Sequence, residues 1–165
     1  MMFSPSDDSE LLRIAQSAYG PLLLFARQWD ETLAEDAVQA AIMELCRTFR
    51  KGGQKPDNAV AWLFQVVRNE LKYRLRQRKT HEKHADRYAE LRAPWFVPSV
   101  DAKLDAETVV AKLAELPLET REVIVARIWG DLSFEAIANL LDMSHSTVHR
   151  RYVEGLEELK KKVKR

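Results

Sequence analysis

Hydrophobic residues recur at helical spacing along almost the whole chain, and no stretch shows a persuasive alternation of polar and apolar positions. Glycine and proline number only 5 and 6 among 165 residues. This pattern predicts an all-α protein. The first predicted helix starts near residue 6 or 9 and ends near residue 19, and further predicted helices span residues 22–29, 33–49, 59–79, 107–116 and 119–129. Two more helices, joined by a tight turn, follow from residue 132. Gly20-Pro21 should interrupt or kink the first helical region, because proline removes a backbone donor. Gly130 should end the helix before it as a C-cap.

The most informative pattern lies between residues 132 and 152. Residues at spacing i, i+3, i+4 and i+7 form one apolar stripe there, namely Phe134, Ile137, Ala138 and Leu141. Asp142, which tolerates a left-handed conformation, then breaks the pattern, and Ser144 is a suitable N-cap for a second helix. That helix has an apolar face and a polar outer face. The arrangement predicts a helix-turn-helix whose second helix can enter a DNA major groove, although spacing alone also fits an ordinary helical hairpin.

Charge is distributed unevenly along the chain. The formal net charge is only +1, yet residues 68–92 carry nine basic against four acidic residues, and residues 143–165 carry seven against three. Two such patches fit two separate contacts with phosphate groups. Solvated helix faces would give the same pattern.

Other features of the sequence limit which classes of function are possible. Cys46 is the single cysteine, so we expect no disulfide framework and a reducing compartment. Residues 1–8 lack the basic start of a signal peptide, and no run of about 18 apolar residues could cross a bilayer. We therefore expect a soluble cytoplasmic protein without membrane insertion. His81 and His84 suggest a metal-dependent enzyme as one alternative, but they lack the i, i+4 spacing of a zinc helix. We expect no catalysis, cofactor or metal.

The C-terminal pattern also resembles a known family. The resemblance is carried by Leu116-Pro117, Arg121, Val123, Gly130, Ser133, Ile137-Ala138, Leu141, Ser144, Thr147-Val148, Arg151 and Leu156. These positions are similar to the C-terminal DNA-binding region of sigma-70-family RNA polymerase sigma factors, and most similar to the extracytoplasmic-function (ECF) group. In the N-terminal half, residues 34–39 resemble the family's polymerase-binding helix, and residues 62–69 resemble the segment that opens the promoter −10 element.

This resemblance implies two small helical domains. Residues 1–79 would form a sigma region 2-like bundle and residues 107–165 a region 4-like helix-turn-helix, joined by a linker at residues 80–106. The implied partners are core RNA polymerase, through the clamp helices of its largest subunit and its flap, promoter DNA, and an anti-sigma factor.

The resemblance also implies roles for individual residues. The −35 element would be contacted by Thr147, His149, Arg150, Arg151, Val153 and Glu154. The −10 element would be contacted by Trp62, Arg68, Asn69, Lys72, Arg76 and Lys79, beside a loop at residues 51–59. Core polymerase would be bound by Asp36 and Gln39. Trp62 suits an unstacked base because aromatic platforms lower the cost of opening a duplex, but core packing explains it equally well. Glu154 stands where many relatives carry arginine, and Ser146 where glycine is usual.

The predicted function is promoter-specific transcription initiation. Two alternatives from binding classes stay open at this stage. The chain could be a stand-alone helix-turn-helix regulator that binds an operator without polymerase, or a sigma-like decoy that binds polymerase without using DNA.

Overall fold

The computed structural model describes residues 5–51, 54–82 and 103–163. These ranges form seven α-helices and no strand, so the prediction of an all-α protein is confirmed. The helices are α1 (Pro5–Arg27), α2 (Glu31–Arg50), α3 (Ala59–Glu82), α4 (Lys103–Ala114), α5 (Leu118–Ile128), α6 (Phe134–Leu141) and α7 (His145–Val163). Residues 83–102, the centre of the predicted linker, lie outside the described ranges. No helix in those ranges is long and apolar enough to cross a membrane.

The N-terminal half is a bundle of α1, α2 and α3. Its core includes Phe25 of α1 and Phe64 of α3, whose rings meet edge to face with their centres 5.0 Å apart. The other large, fully buried side chains of this half are Leu22, Val38, Leu45, Leu63, Val67 and Leu71. They lie on the helix faces that the apolar spacing predicts.

The predicted interruption at Gly20-Pro21 is wrong, because α1 continues through Pro21 without a break. A proline inside a helix costs about 3 kcal/mol. The adjacent Leu22 and nearby Phe25 are fully buried, and burying two such side chains stabilises the fold by about 3–6 kcal/mol in total. Gly20 also lacks the Cβ that clashes with a following proline in the α conformation. Packing therefore outweighs the local preference.

The C-terminal half packs α5, α4 and α6 against α7. The turn before α7 is as predicted: Asp142 has a φ of 55°, in the left-handed region, and the Oγ of Ser144 accepts a hydrogen bond from the N–H of Thr147. The predicted helix-turn-helix is thus α6, this turn and α7.

Gly130 lies directly after Trp129, the C-cap of α5, and so follows the end of the helix as predicted. The residue in the left-handed region is Asp131, with a φ of 50°. The N–H of Gly130 still bonds to the carbonyl of Val125 at 3.1 Å and helps to close the helix. A Cβ built on Gly130 would lie 2.7 Å from the ring of Phe64. Glycine is needed here for a close approach between the two halves, since α1 contacts α5 and α3 contacts α6.

Candidate nucleic-acid interface

The outer face of α7 is the first candidate surface. Ser144 caps the helix through its 3.2 Å bond from Thr147, as a serine N-cap does. Val148 and Leu159 are buried against the rest of the C-terminal half, which turns the opposite face to solvent. That exposed face carries four residues predicted to contact the −35 element, namely His149, Arg150, Val153 and Glu154.

Phe134 of α6 orients the aromatic side chains of α7. Its ring centre lies 5.3 Å from that of His149, 5.3 Å from that of Tyr152 and 5.9 Å from that of His145, each in an edge-to-face arrangement. The guanidinium of Arg127 covers the same ring at 5.0 Å. Edge-to-face pairs are favoured by the ring quadrupole, so Phe134 favours this orientation of His149 at the edge of the exposed face.

Two of the predicted −35 residues are engaged inside the C-terminal half. The hydroxyl of Thr147 lies 2.7 Å from that of Ser144, and Arg151 forms an ion pair with Glu119 of α5. Arg150 makes no ion pair with any residue that the structure describes. Arg150 is therefore the arginine of α7 whose donors are available to an external partner.

Apart from Arg68, which contacts the C-terminal half, the arginine and lysine residues of α3 divide into two sets. Arg74 pairs with Glu70 at 2.7 Å and with Asp36 at 3.5 Å, and Arg78 pairs with Asp30 at 2.7 Å. These two arginines hold the bundle together. A second set forms no ion pair within the described ranges and belongs to the predicted −10 surface, namely Lys72, Arg76 and Lys79.

The second set surrounds an aromatic residue that the sequence analysis did not assign to the site. Trp29, at the turn before α2, lines a cavity of about 230 Å³ together with Lys72, Leu75, Arg76 and Lys79. A cavity of this size is smaller than the roughly 300–1,000 Å³ of small-molecule sites. An aromatic ring beside three cations suits part of a nucleic-acid strand, whose bases stack and whose phosphates carry charge.

The other predicted −10 residues lie along the first half of α3. Trp62 is half-buried and packs against the hydrophobic core of the bundle, and the rest of its side chain is exposed. Asn69 is exposed, and its Oδ1 accepts a hydrogen bond from Gln65 at 3.0 Å. In the loop before α3, Lys55 pairs with Asp7 and Glu10 of α1.

Arg68 was predicted to contact the −10 element, but it does not lie on an exposed surface. It is buried between the two halves, where its Nε donates to Glu122 of α5 at 2.9 Å. Glu122 is itself 1 % exposed and also accepts a hydrogen bond from the indole N–H of Trp29 at 2.9 Å. The structure therefore brings Arg68 and Trp29 together with a carboxylate of the other half.

The predicted polymerase-binding residues lie on the exposed face of α2. Asp36 and Gln39 are both exposed. Met43, one turn after Gln39, is 54 % exposed and extends this face. Asp36, Gln39 and Met43 lie at spacing i, i+3 and i+7 and so share one face of α2. The sequence analysis did not assign Met43 to this face. Methionine is enriched at protein–protein interfaces relative to the rest of the surface.

No metal site is evident among the described residues, which contain no group of three or more histidine, cysteine, aspartate or glutamate side chains suited to a metal ion. His81 lies in the last turn of α3. His84, the second residue of the metal-dependent alternative, lies outside the described ranges.

These features define a two-domain helical protein with a DNA-binding helix-turn-helix. Residues 17–81 match the family Sigma-70 region 2, and residues 113–161 match the family Sigma-70, region 4. The two matches fall on the N-terminal bundle and the helix-turn-helix half, and together they span about two thirds of the chain. The chain therefore carries a region 2 and a region 4 of the sigma-70 family and belongs to that family. No curated protein matches the sequence.

Two solved structures show the same fold. One is the sigma factor RpoE in complex with the anti-sigma factor NepR from Bartonella quintana, with a TM-score of 0.72, 22% identity and coverage of 98% of each chain. The other is CnrH in complex with the cytosolic domain of CnrY, with a TM-score of 0.58 and 23% identity over 93% of this chain and 86% of that chain. The two-domain arrangement predicted from the sequence is thus the one found in these proteins.

Proposed function

We propose that the chain is a promoter-specificity subunit of RNA polymerase of the ECF type. The polymerase makes the RNA, and this chain selects and opens the start site without catalysing a reaction itself. The observation that carries the proposal is the division of unpaired cationic side chains between two surfaces, α3 and α7, one in each conserved region. We infer that such a protein acts in the cytoplasm.

The C-terminal half would read the −35 element with α7 in the major groove. Arg150 can donate to guanine or phosphate, and Glu154 can accept from the amino group of cytosine. Thr147 and Arg151 are anchored by residues of their own half and would position the DNA backbone. Because Glu154 repels phosphate, we infer that it faces base edges.

The N-terminal half would bind core polymerase and open the −10 element. Asp36, Gln39 and Met43 form the face that would dock on the clamp helices of the largest subunit, while the C-terminal half would dock on the flap. The cations of α3 would hold the freed strand, with Trp62 and Asn69 beside them. The likeness to RpoE bound to NepR supports an anti-sigma factor as a further partner.

Two assays test this proposal. The purified chain should associate with core polymerase in a pull-down, and the reconstituted enzyme should start transcripts at new, discrete sites. A stand-alone regulator would bind duplex DNA without associating with polymerase. A decoy would bind polymerase, but its effect on run-off transcription would not change when Arg150 and Arg151 are replaced by alanine. Failure to associate with polymerase would refute the proposal.

A further inference from the structure

Two hydrogen-bond donors of the N-terminal half converge on one oxygen atom of the C-terminal half. The indole Nε1 of Trp29 and the Nε of Arg68 each lie 2.9 Å from Oε1 of Glu122. The guanidinium carbon of Arg68 lies 5.5 Å from the centre of the Trp29 ring, so the two donors are also held against each other. Both donors belong to one domain, and the acceptor comes from the other.

The chemistry of this pair suits a phosphate oxygen. Indole and guanidinium groups donate hydrogen bonds and accept none, so they require an acceptor whenever they are buried together. Arginine binds carboxylate and phosphate oxygens with the same donor geometry. The pair also lies at one end of the unpaired cations, because Trp29 lines the cavity that Lys72, Arg76 and Lys79 complete. Arg68 and these three residues recur at spacing i, i+4, i+8 and i+11 and so form a basic track along one side of α3.

Not every buried polar atom at the Glu122 contact has a hydrogen-bond partner. Oε2 of Glu122 is buried without a hydrogen-bond partner, and so is Nε of the preceding Arg121. A buried ion pair gains little net stability when its desolvation is not fully compensated. The carboxylate is therefore a ligand that a competing anion can displace.

We propose that Glu122 occupies a phosphate site of the N-terminal domain, and that a DNA backbone phosphate takes its place when the two domains separate. The inference rests on the proposed function only in taking the phosphate to be that of DNA. The proposal identifies Trp29 as a DNA-binding residue. It also means that the contact between the domains and the DNA compete for the same two donors.

The dimensions of a promoter agree with this exchange. The −10 and −35 elements lie about two helical turns apart, or roughly 70 Å. A compact chain of this length has a radius of gyration of about 15 Å and spans roughly 40 Å. A chain with Glu122 seated between the domains cannot reach both elements, so binding to both requires Arg68 and Trp29 to lose this acceptor.

The test is DNA binding by the free full-length chain, measured as a salt titration with a forked oligonucleotide that has a single-stranded arm. In Glu122→Gln, the amide oxygen still accepts from both donors, but Arg68 loses its counter-charge, so a DNA phosphate competes for the site more strongly. We expect several-fold tighter binding at low salt. The slope of log affinity against log salt should steepen by about 0.7, the value for one more single-strand phosphate contact. Glu157→Gln, which removes the same charge from an exposed position of α7, should change neither quantity.

Further variants separate the site from a general effect of charge or folding. Arg68→Gln combined with Glu122→Gln should abolish the gain in DNA affinity. Arg68→Lys in the same Glu122→Gln background should retain part of that gain. Trp29→Phe, which keeps a ring but removes the donor, should lower the gain in the Glu122→Gln background. Equal gains in Glu122→Gln and Glu157→Gln, or a gain that persists without Arg68, would overturn the proposal.

Inorganic phosphate serves as the competing anion in a parallel arm at constant ionic strength. We expect millimolar phosphate to leave the gain in DNA affinity intact. DNA also contacts the other cations of the basic track, whereas inorganic phosphate would bind at this one site. Saturation of the site by inorganic phosphate alone would overturn the assignment to DNA. Neither arm uses polymerase, so a negative result here leaves the pull-down, and with it the proposed function, unaffected.

Discussion

The carboxylate of Asp30 is shared between its own helix and Arg78, 48 residues later. Oδ1 of Asp30 accepts hydrogen bonds from the backbone N–H groups of Thr32 and Leu33 at 2.9 and 3.0 Å and so caps α2. Oδ2 accepts from Nη1 of Arg78 at 2.7 Å, while Nη2 of the same guanidinium donates to the hydroxyl of Thr32 at 2.8 Å. One side chain thus ends a turn and joins the start of α2 to the end of α3.

This double role predicts different outcomes for two substitutions. Asp30→Ala removes the cap and the ion pair, and we expect a loss of about 1 kcal/mol or slightly more in the free energy of unfolding. Asp30→Asn keeps a good cap and loses only the ion pair, which is partly exposed and contributes less. Urea denaturation of both variants checks the prediction. Equal losses in the two variants would mean that the cap contributes nothing.

Acid should remove the ion-pair contribution of Asp30. Partial burial alone would raise its pKa, but the hydrogen bonds from Thr32 and Leu33 and the charge of Arg78 outweigh it, and the pKa lies below its ordinary value of 3.8. A lowered pKa stabilises the fold above the unfolded-state value, and this stabilisation is lost as the pH falls through the folded-state value. The stability difference between wild type and Asp30→Asn should therefore be constant above about pH 5 and shrink below pH 3.8. Urea titrations at several pH values from above 5 to below 3.8 measure this difference.

The sequence predicted the helices and the turn well because these depend on local information. The apolar stripe of α6, the left-handed Asp142 and the cap at Ser144 are each determined by a few neighbouring residues. The exposure of Arg150 and Val153 follows from the same helical period. Local patterns therefore predicted which side chains of α7 are exposed, whereas the assignment of this face to the −35 element came from the family resemblance.

The contact between the domains could not be predicted in this way. Trp29 and Glu122 are 93 residues apart, and Arg68 and Glu122 are 54 apart. Helical spacing places Arg68 in a basic stripe, but it carries no information on which distant carboxylate comes to face it. For the same reason the sequence does not distinguish Arg74 and Arg78, which join helices, from Lys72 and Arg76, which remain without an ion pair in the described ranges.

Gly155 offers a test of packing between α5 and α7. A Cβ at this position would lie 2.5 Å from Cγ2 of Thr120 and 2.9 Å from Cδ1 of Ile124. Alanine is a better helix former than glycine by about 1 kcal/mol, whereas overpacking a core costs about 1–3 kcal/mol. Because Thr120 is β-branched and adapts poorly, we expect Gly155→Ala to be destabilising by about 1 kcal/mol.

A second substitution isolates the clash at Gly155. Thr120→Ser removes the methyl group that the new Cβ would meet, so the double variant should recover most of the loss. Thermal unfolding of the two single variants and the double variant gives the coupling between the positions. Simple additivity of the two changes would show that the methyl group of Thr120 is not the obstacle.

Met43 should contribute to binding core polymerase. It lies 54 % exposed on the face of Asp36 and Gln39, and Leu12 on α1 is a matched control because it is 58 % exposed. We expect Met43→Ala to weaken binding by about 1 kcal/mol, roughly fivefold, as for a contact residue near an interface centre. Leu12→Ala should have no effect. Titration of labelled chain with core polymerase measures both, and similar affinities for the two variants would remove Met43 from the interface.

Arg150 and Arg151 should affect promoter recognition in different ways, because only Arg151 is tied to Glu119. If Arg150 contacts a base, Arg150→Ala costs about 1–3 kcal/mol and relaxes discrimination at one position of the −35 element. Arg151→Ala should weaken binding to native and altered −35 sequences alike and lower the salt slope by about 1. The measurement is binding of the reconstituted enzyme to promoters with single changes in that element. Lys160→Ala, an exposed charge further along α7, is the control. Uniform weakening by Arg150→Ala across all promoters would assign Arg150 to the phosphate backbone.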